Sequence, residues 1–178
     1  MLCILSEISM YIILWCIALI LSIAMINDII NYRIPNICPL CIVILFFVTV
    51  YAPGLNTEWI DISQNIIVFV CSLLLGFVLF TLRICGGGDA KIIASISLWM
   101  GPAAMLQFCI VMSILGGLLA LSYIFLHSPV GQYILYKTNI KLYKWVMPNV
   151  IPYGVAVCIS AIINLPNSYA FQAIITQL

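Results

Sequence analysis

The chain has 178 residues, of which 66% are hydrophobic and only 6% are charged, with a formal net charge of +1. A soluble domain carries about 25% charged residues, so this composition excludes a soluble globular protein. The near-neutral charge gives no sign of a nucleic-acid-binding surface. Apolar runs of about 20 residues predict membrane-spanning helices rather than the roughly 10-residue alternating strands of a membrane barrel. We therefore expect an all-α integral membrane protein.

Six apolar runs follow one another along the chain and are predicted to be membrane spans. The first begins without a basic segment or a small-residue cleavage site, so we expect it to be retained as a span. Between the fourth and fifth runs, Gly101-Pro102 is either a kink or the turn itself, and the sequence leaves both open. The residues after Pro166 are too few to cross again. The expected single membrane domain, residues 1–178, has spans at about 8–26, 37–51, 62–82, 90–105, 107–126 and 149–165.

The charged residues are divided between the two sides of the membrane. All basic residues lie in the segments after spans one, three and five, so the positive-inside rule makes that side cytoplasmic and places both chain ends outside. The lysines there can also contact anionic lipid headgroups. Glu7, Glu58 and Asp61 lie on the opposite side, which leaves Asp28 and Asp89 at the cytoplasmic boundary. The basic residues are Arg33, Arg83, Lys91, Lys137, Lys141 and Lys144.

Asp28 and Asp89 are candidates for a catalytic pair. Carboxylates at the edge of a membrane are costly and are functional candidates by default, and the three glycines before Asp89 permit close approach of other groups. If spans one and four pack together, the acids share one proton, so that one member deprotonates a water while the other donates to a carbonyl oxygen. Alternatively, each acid caps a helix end, or Asp28 pairs with Arg33. Chemistry alone leaves both interpretations open.

The remaining residues with metal-binding or redox chemistry do not form a clear site. Cys38 and Cys41 have the spacing of a metal or redox pair, but structural zinc needs four ligands and the chain has no second pair. We therefore expect no metal and no other cofactor. The one histidine, His127, follows span five and is interpreted as interfacial because no acidic residue is near it in sequence.

Three segments of the chain resemble the signature segments of the prepilin peptidases, which are membrane aspartic proteases of the GxGD type. The resemblance implies that Asp28 and Asp89 are the catalytic aspartates. It also implies cleavage of the short leader of type IV pilin-like precursors, at the cytoplasmic face of the inner membrane and just before the precursor's apolar segment. The segments are Asp28 with Arg33-Ile34-Pro35-Asn36, then Gly86-Gly87-Gly88-Asp89-Ala90-Lys91, then Ile151-Pro152-Tyr153-Gly154-Val155-Ala156.

The chain departs from the longer family members, which carry a cytoplasmic insertion with two CxxC pairs and also methylate the new N-terminus. Here about eight residues separate Asp28 from span two, so methyltransferase activity is not expected. The compact length resembles the peptidase-only form of tight-adherence (Flp-type) pilus systems, and archaeal preflagellin peptidases are similar too. The implied partners are a pilin-like precursor and membrane lipid, and no oligomeric state is predicted. The expected substrate-binding or supporting residues are Gly86, Gly88, Lys91, Arg33, Pro35, Asn36, Pro152 and Gly154.

Two functions of other classes remain open on the same residues. A small proton- or cation-coupled transporter would use Asp28 and Asp89 as a relay, although transport sites usually lie near the midplane of the bilayer. A thiol oxidoreductase would use Cys38 and Cys41. The predicted topology places that pair on the cytoplasmic side, where disulfides are not normally generated.

Overall fold

The computed structural model describes residues 2–51, 61–137 and 151–168, and these residues form helices and no strands. The predicted all-α fold is therefore confirmed. Lys141, Lys144, Glu58, the predicted start of span six at Asn149 and most of the tail after Pro166 lie outside the described residues. The helices are α1 Leu2–Asn31, α2 Ile37–Tyr51, α3 Ile62–Thr81, α4 Gly87–His127, α5 Pro129–Lys137 and α6 Tyr153–Asn164, and a 3₁₀ turn, Leu165–Asn167, follows α6.

The apolar character of these helices makes the chain a multi-pass membrane protein. In the described part of the chain, Tyr11–Asn31, Ile62–Thr81 and Gly87–His127 are each long and apolar enough to cross a bilayer, and Ile37–Tyr51 and Tyr153–Asn167 are shorter apolar helices. Large apolar side chains point outward along them, as Trp15 does with 71% of its surface exposed. Outward apolar side chains in such numbers fit lipid as the surrounding solvent. The bundle is thus of the predicted class, and the orientation of its ends stays a prediction.

Helix α1 continues past the point at which the sequence predicts its end. The predicted loop begins at Asn27-Asp28, whereas the helix extends to Asn31. The amide of Asn27 donates to the Ile23 carbonyl at 3.0 Å and that of Asn31 to the Asn27 side chain at 3.3 Å, so these polar groups are satisfied without leaving the helix. Helix α1 then stops at Tyr32, which has φ 51°. Asp28 therefore lies on a helix, and the connection to α2 is short.

Helix α4 contains the turn between the fourth and fifth predicted spans. Gly101 has φ 64° and ψ −177°, a left-handed backbone that favours glycine, and Pro102 follows it. An unbroken helix would separate Asp89 from Gly116 by about 40 Å, yet both residues line one cavity. The chain therefore reverses at Gly101, so this position is the turn rather than a kink. We call residues 87–100 the first arm and residues 102–127 the second arm.

The first arm of α4 is the centre of the bundle and packs against α2, α3 and α6. Its residues from Ala94 to Met100 are all buried. The Trp99 indole N–H donates to the Ile42 carbonyl at 3.1 Å, and its ring meets Phe46 edge-on with centroids 5.4 Å apart. A buried indole that is both packed and hydrogen-bonded holds its helix tightly. The beginning of this arm, which carries Asp89, is consequently built on a well-packed element.

Candidate active site

Asp28 lies in the last turn of α1 and faces the N-terminal end of α6. Only 6% of its surface is exposed, and the backbone N–H groups of Gly154 and Val155 donate to its carboxyl group. These N–H groups belong to the first turn of α6, where backbone N–H groups carry partial positive charge, and the Val155 N–H also donates to the Pro152 carbonyl at 3.3 Å. Oδ2 of Asp28 has no hydrogen-bond partner within the described residues. This buried oxygen is free to bind a water or a substrate group.

Asp89 lies in the first turn of α4, which begins at Gly87, three residues before the predicted start of the fourth span at about residue 90. Gly86 is the N-cap of α4 and provides no side-chain cap. The Asp89 carboxyl instead accepts the backbone N–H of Gly86, which is the return bond of a capping box. A side-chain carbon added at Gly86 would lie 2.9 Å from Oδ2 of Asp89. The absence of a side chain at Gly86 therefore leaves the space that this carboxyl group occupies.

The two carboxyl groups lie near each other although they come from helices far apart in sequence. They lie close enough for the charge of Asp28 to act on Asp89, and both also act on the Cys158 thiol of α6. Among the described residues, the polar contacts of the Asp28 carboxyl group are the two N–H groups of α6. Arg33 does not pair with this carboxyl group. Each acid does occupy a helix-end position, as the structural alternative predicts. A helix-end position and proximity to the other acid therefore occur together at this site.

Asp89 lies about one helical turn further into the bundle than the end of α3. A side-chain carbon added at Gly76 would lie 2.9 Å from the Cβ of Ala90, so these two residues face each other. Thr81, the last residue of α3, is five residues beyond Gly76, or about 7.5 Å along the helix axis. The acids thus lie near one end of the bundle, inside the level at which its helices end. Ionisable groups are costly at this depth and depend on the surrounding helix ends for stabilisation.

Ile34 holds the three segments of the site together. A side-chain carbon added at Gly88 would lie 3.1 Å from the Ile34 Cβ, and one added at Gly154 would lie 2.8 Å from the Ile34 Cδ1. Both glycines permit a closer approach than any larger residue would allow. Ile34, which belongs to the segment of Asp28, therefore packs between the segment of Asp89 and the start of α6. Sequence reasoning did not select Ile34, although it lies inside the Arg33-Ile34-Pro35-Asn36 segment.

The remaining predicted site residues lie around this centre. The Lys91 ammonium donates to the Asn36 side-chain oxygen at 2.9 Å, which ties the connection between α1 and α2 to the start of α4. Pro35 accepts a bond from the Cys38 N–H at 3.1 Å where α2 begins. Pro152 is the N-cap residue of α6. Arg33 is exposed, so the structure places it at the edge of the site rather than in it.

A cavity of about 370 Å³ borders Asp89 and was not predicted from the sequence. Residues from both arms of α4, from the start of α6 and from the connection before α4 line it. Its polar groups are the Asp89 carboxyl, the Ser113 hydroxyl, the Cys85 thiol and the Tyr153 hydroxyl. The other lining residues are apolar or glycine. The turn at Gly101 creates this cavity, because it folds the second arm back beside Asp89.

Cys38, Cys41 and His127 lie in local contacts that involve neither acid's hydrogen bonds. Cys38 is buried and Cys41 half-buried on α2, and both are free thiols. His127 ends α4, where its Nδ1 lies 3.0 Å from the Tyr123 carbonyl oxygen and its ring stacks on that of Tyr123. Across the described ranges, no three side chains of the types His, Cys, Asp and Glu lie together in a way that could hold a metal ion.

A sequence model of the type IV leader peptidase family matches residues 11–121. The chain belongs to the type IV leader peptidase family. The match contains both Asp28 and Asp89 but ends before α6, so the third segment joins the site through its contact with Asp28. No curated protein and no solved structure matches the chain. A type IV leader peptidase is a membrane peptidase, and this confirms the prediction of a prepilin peptidase at the level of family.

Proposed function

We propose that this type IV leader peptidase is an aspartic endopeptidase in which Asp28 and Asp89 together activate a water molecule. The observation that supports the proposal most strongly is that Asp28 and Asp89 lie near each other although they are far apart in sequence. Asp89 also lines an apolar cavity. Two close carboxyl groups share one proton and titrate as a unit. One member then acts as base while the other acts as acid, without any further nucleophile.

The reaction can be written with the two carboxyl groups alone. The ionised carboxylate takes a proton from water as the water oxygen bonds to the scissile carbonyl carbon, and the protonated carboxyl gives its proton to the carbonyl oxygen. When the tetrahedral intermediate collapses, the carbon–nitrogen bond breaks. The leaving nitrogen takes a proton from one carboxyl group, and a hydroxyl of the intermediate returns a proton to the other. The products are a free carboxylic acid and a free amine, and the pair again holds one proton.

We infer that the substrate is a pilin-like precursor cut at its leader junction, at the cytoplasmic face of the inner membrane. The site supports this because it lies near one end of the bundle, where the leader would meet the precursor's apolar segment. Lys91 and Arg33 lie at that same end of the α1 and α4 segments, as positive-inside charges should. The link from Lys91 to Asn36 holds the edge of the site in place.

The short connection between α1 and α2 supports a peptidase-only enzyme of the compact, Flp-type form. Helix α1 ends at Asn31 and α2 begins at Ile37. This connection leaves no room for an inserted domain next to Asp28, and we therefore propose that the enzyme does not methylate its product. Incubation with precursor and a labelled methyl donor should release the leader without labelling the new N-terminus.

A transporter that uses the same acids is less well supported by their depth. Asp89 lies about 6 Å from the level at which α3 ends, whereas the midplane of a bilayer core of about 30 Å lies about 15 Å from its edge. Carrier sites usually lie near that midplane. The acids also meet helix N-termini rather than a continuous polar path.

Cleavage of a precursor by the purified protein in detergent tests the proposed function. Asp28→Asn and Asp89→Asn should each lower kcat by about 10²- to 10⁴-fold, the usual contribution of general acid–base catalysis. Asp61→Asn changes a carboxylate that caps α3 and is a matched control that should keep wild-type kcat. Cys38→Ser tests the thiol alternative and should also remain active. Normal cleavage by either Asn variant of the pair would rule out the dyad.

A further inference from the structure

The cavity beside Asp89 has a shape that suits a segment of helix. One wall is the second arm of α4, where Ser113, Gly116 and Gly117 lie on one face at helical spacing. The first arm, through Asp89 and Ile93, and the start of α6, through Tyr153, Ala156 and Val157, provide further lining. One turn of helix, taken as a cylinder 10 Å wide with a 5.4 Å pitch, fills about 420 Å³. The cavity of about 370 Å³ is close to that size.

The cavity reaches one member of the acid pair and the neighbourhood of the other. Asp89 itself lines it, and so does Tyr153, the residue directly before the Gly154 that contacts Asp28. A peptide bond placed between the two carboxyl groups would therefore have the residues on one side of it next to the cavity. The residues after the cut belong to the precursor's apolar segment. The apolar walls of the cavity therefore favour the residues after the cut over those of the leader.

We propose that this cavity binds the first helical turn of the precursor's apolar segment, immediately after the cleaved bond, and that Gly117 sets the size of side chain accepted there. The inference rests on the proposed function, because it assigns one part of that substrate to one part of the site. Gly116 and Gly117 permit a helix backbone to approach the second arm closely, as small residues do between membrane helices. A lipid acyl chain would fill the same volume but would not depend on the precursor's sequence.

Gly117 is suited to a direct test because of its surroundings. A side-chain carbon added there would have no atom within 4 Å apart from its own helix neighbours, so a larger side chain would extend into the cavity without displacing the fold. Ala103 lies on the same arm, is exposed and does not line the cavity. Gly117→Leu and Ala103→Leu therefore add similar bulk inside and outside the proposed subsite.

The experiment compares two precursors that share a leader and a cleavage site. One has Phe and Leu at the first four positions after the cut, and the other has Ala there. Gly117→Leu should lower kcat/KM for the bulky precursor by about 10- to 100-fold, the range by which filled hydrophobic pockets discriminate side chains, and should change the small precursor by less than about threefold. Ala103→Leu should cut both precursors as the wild type does. Equal cleavage of both precursors by Gly117→Leu, with the Asn variants of the acid pair inactive, would overturn the subsite and leave the peptidase intact.

Protection of a native thiol gives a second readout that does not require turnover. Cys85 lines the cavity, whereas Cys71 is an exposed residue of α3 outside it. Binding of the bulky precursor to the inactive Asp28→Asn protein should slow maleimide labelling of Cys85 and leave Cys71 unaffected, as measured by mass spectrometry. Protection of Cys85 by detergent-solubilised phospholipid alone, with no added effect of precursor, would show that the cavity is a lipid site and would refute the proposal. If either Asn variant still cleaves precursor at the normal rate, the proposed function fails independently of this result.

Discussion

Gly154→Ala is the substitution that most directly tests whether the start of α6 positions Asp28. The added methyl carbon would lie 2.7 Å from Oδ2 of Asp28, about 0.7 Å short of the 3.4 Å at which ordinary contacts begin. It would also lie 2.8 Å from the Ile34 Cδ1. The Asp28 carboxyl must therefore move by several tenths of an ångström. Because a misplacement of about 1 Å can cost 10²-fold in rate, we expect kcat to fall by about 10- to 100-fold.

The assay is precursor cleavage in detergent, with thermal unfolding of each variant measured alongside. Ile34→Val removes the Cδ1 atom and keeps the Cβ that faces Gly88, so Ile34→Val combined with Gly154→Ala should recover part of the lost kcat. Ile163→Ala changes an α6 side chain that is 54% exposed and should behave as the wild type. A folded Gly154→Ala protein with wild-type kcat would refute the positioning role of this contact.

Two further predictions concern the segment that leads into α4. Gly86→Ala should lower kcat by about tenfold, since its new carbon would lie 2.9 Å from Oδ2 of Asp89. Gly87→Ala meets only the Phe80 ring, at 3.2 Å, and that ring can move, so kcat should stay near wild type; equal losses in the two variants would contradict this geometry. The pKa of the Cys85 thiol is raised by burial and then by the neighbouring charge of Asp89. Asp89→Asn removes the second cause, which lowers the pKa and enlarges the thiolate fraction, so maleimide should label Cys85 faster at pH 8; an unchanged rate would mean that Asp89 exerts no charge effect there.

Much of the fold follows from hydrophobic run lengths, and the second span shows why. Residues 37–51 form an uninterrupted apolar run between a proline-containing segment and Pro53-Gly54, and α2 has those bounds in the structure. The end of α1 was predicted wrongly because Asn27, Asp28 and Asn31 are polar. Run length cannot show that the asparagine amides bond within the helix or that the acid is satisfied by α6. The choice between a kink and a turn at Gly101 likewise depends on packing with distant residues.

The acid pair could be selected from the sequence, but its surroundings could not. Isolated carboxylates in an apolar chain are few enough to be compared one by one, and topology left only Asp28 and Asp89. The role of Ile34 depends on two glycines that are separated by more than sixty residues, so no local pattern indicates it. The cavity beside Asp89 arises from the reversal of α4, and most of its other lining residues are apolar or glycine, which does not distinguish them from other lipid-facing positions.

The contact between Asp28 and α6 has a consequence for how the enzyme is made. One half of the site is near the start of the chain, and the groups that hold it belong to the last helix that the structure describes. During synthesis α1 enters the membrane long before Gly154 has been translated, so the buried acid has no donors from α6 in the nascent chain. A protease that depends on this contact cannot cut membrane proteins while it is itself being inserted. On the proposed mechanism, activity begins only when α6 has packed against α1.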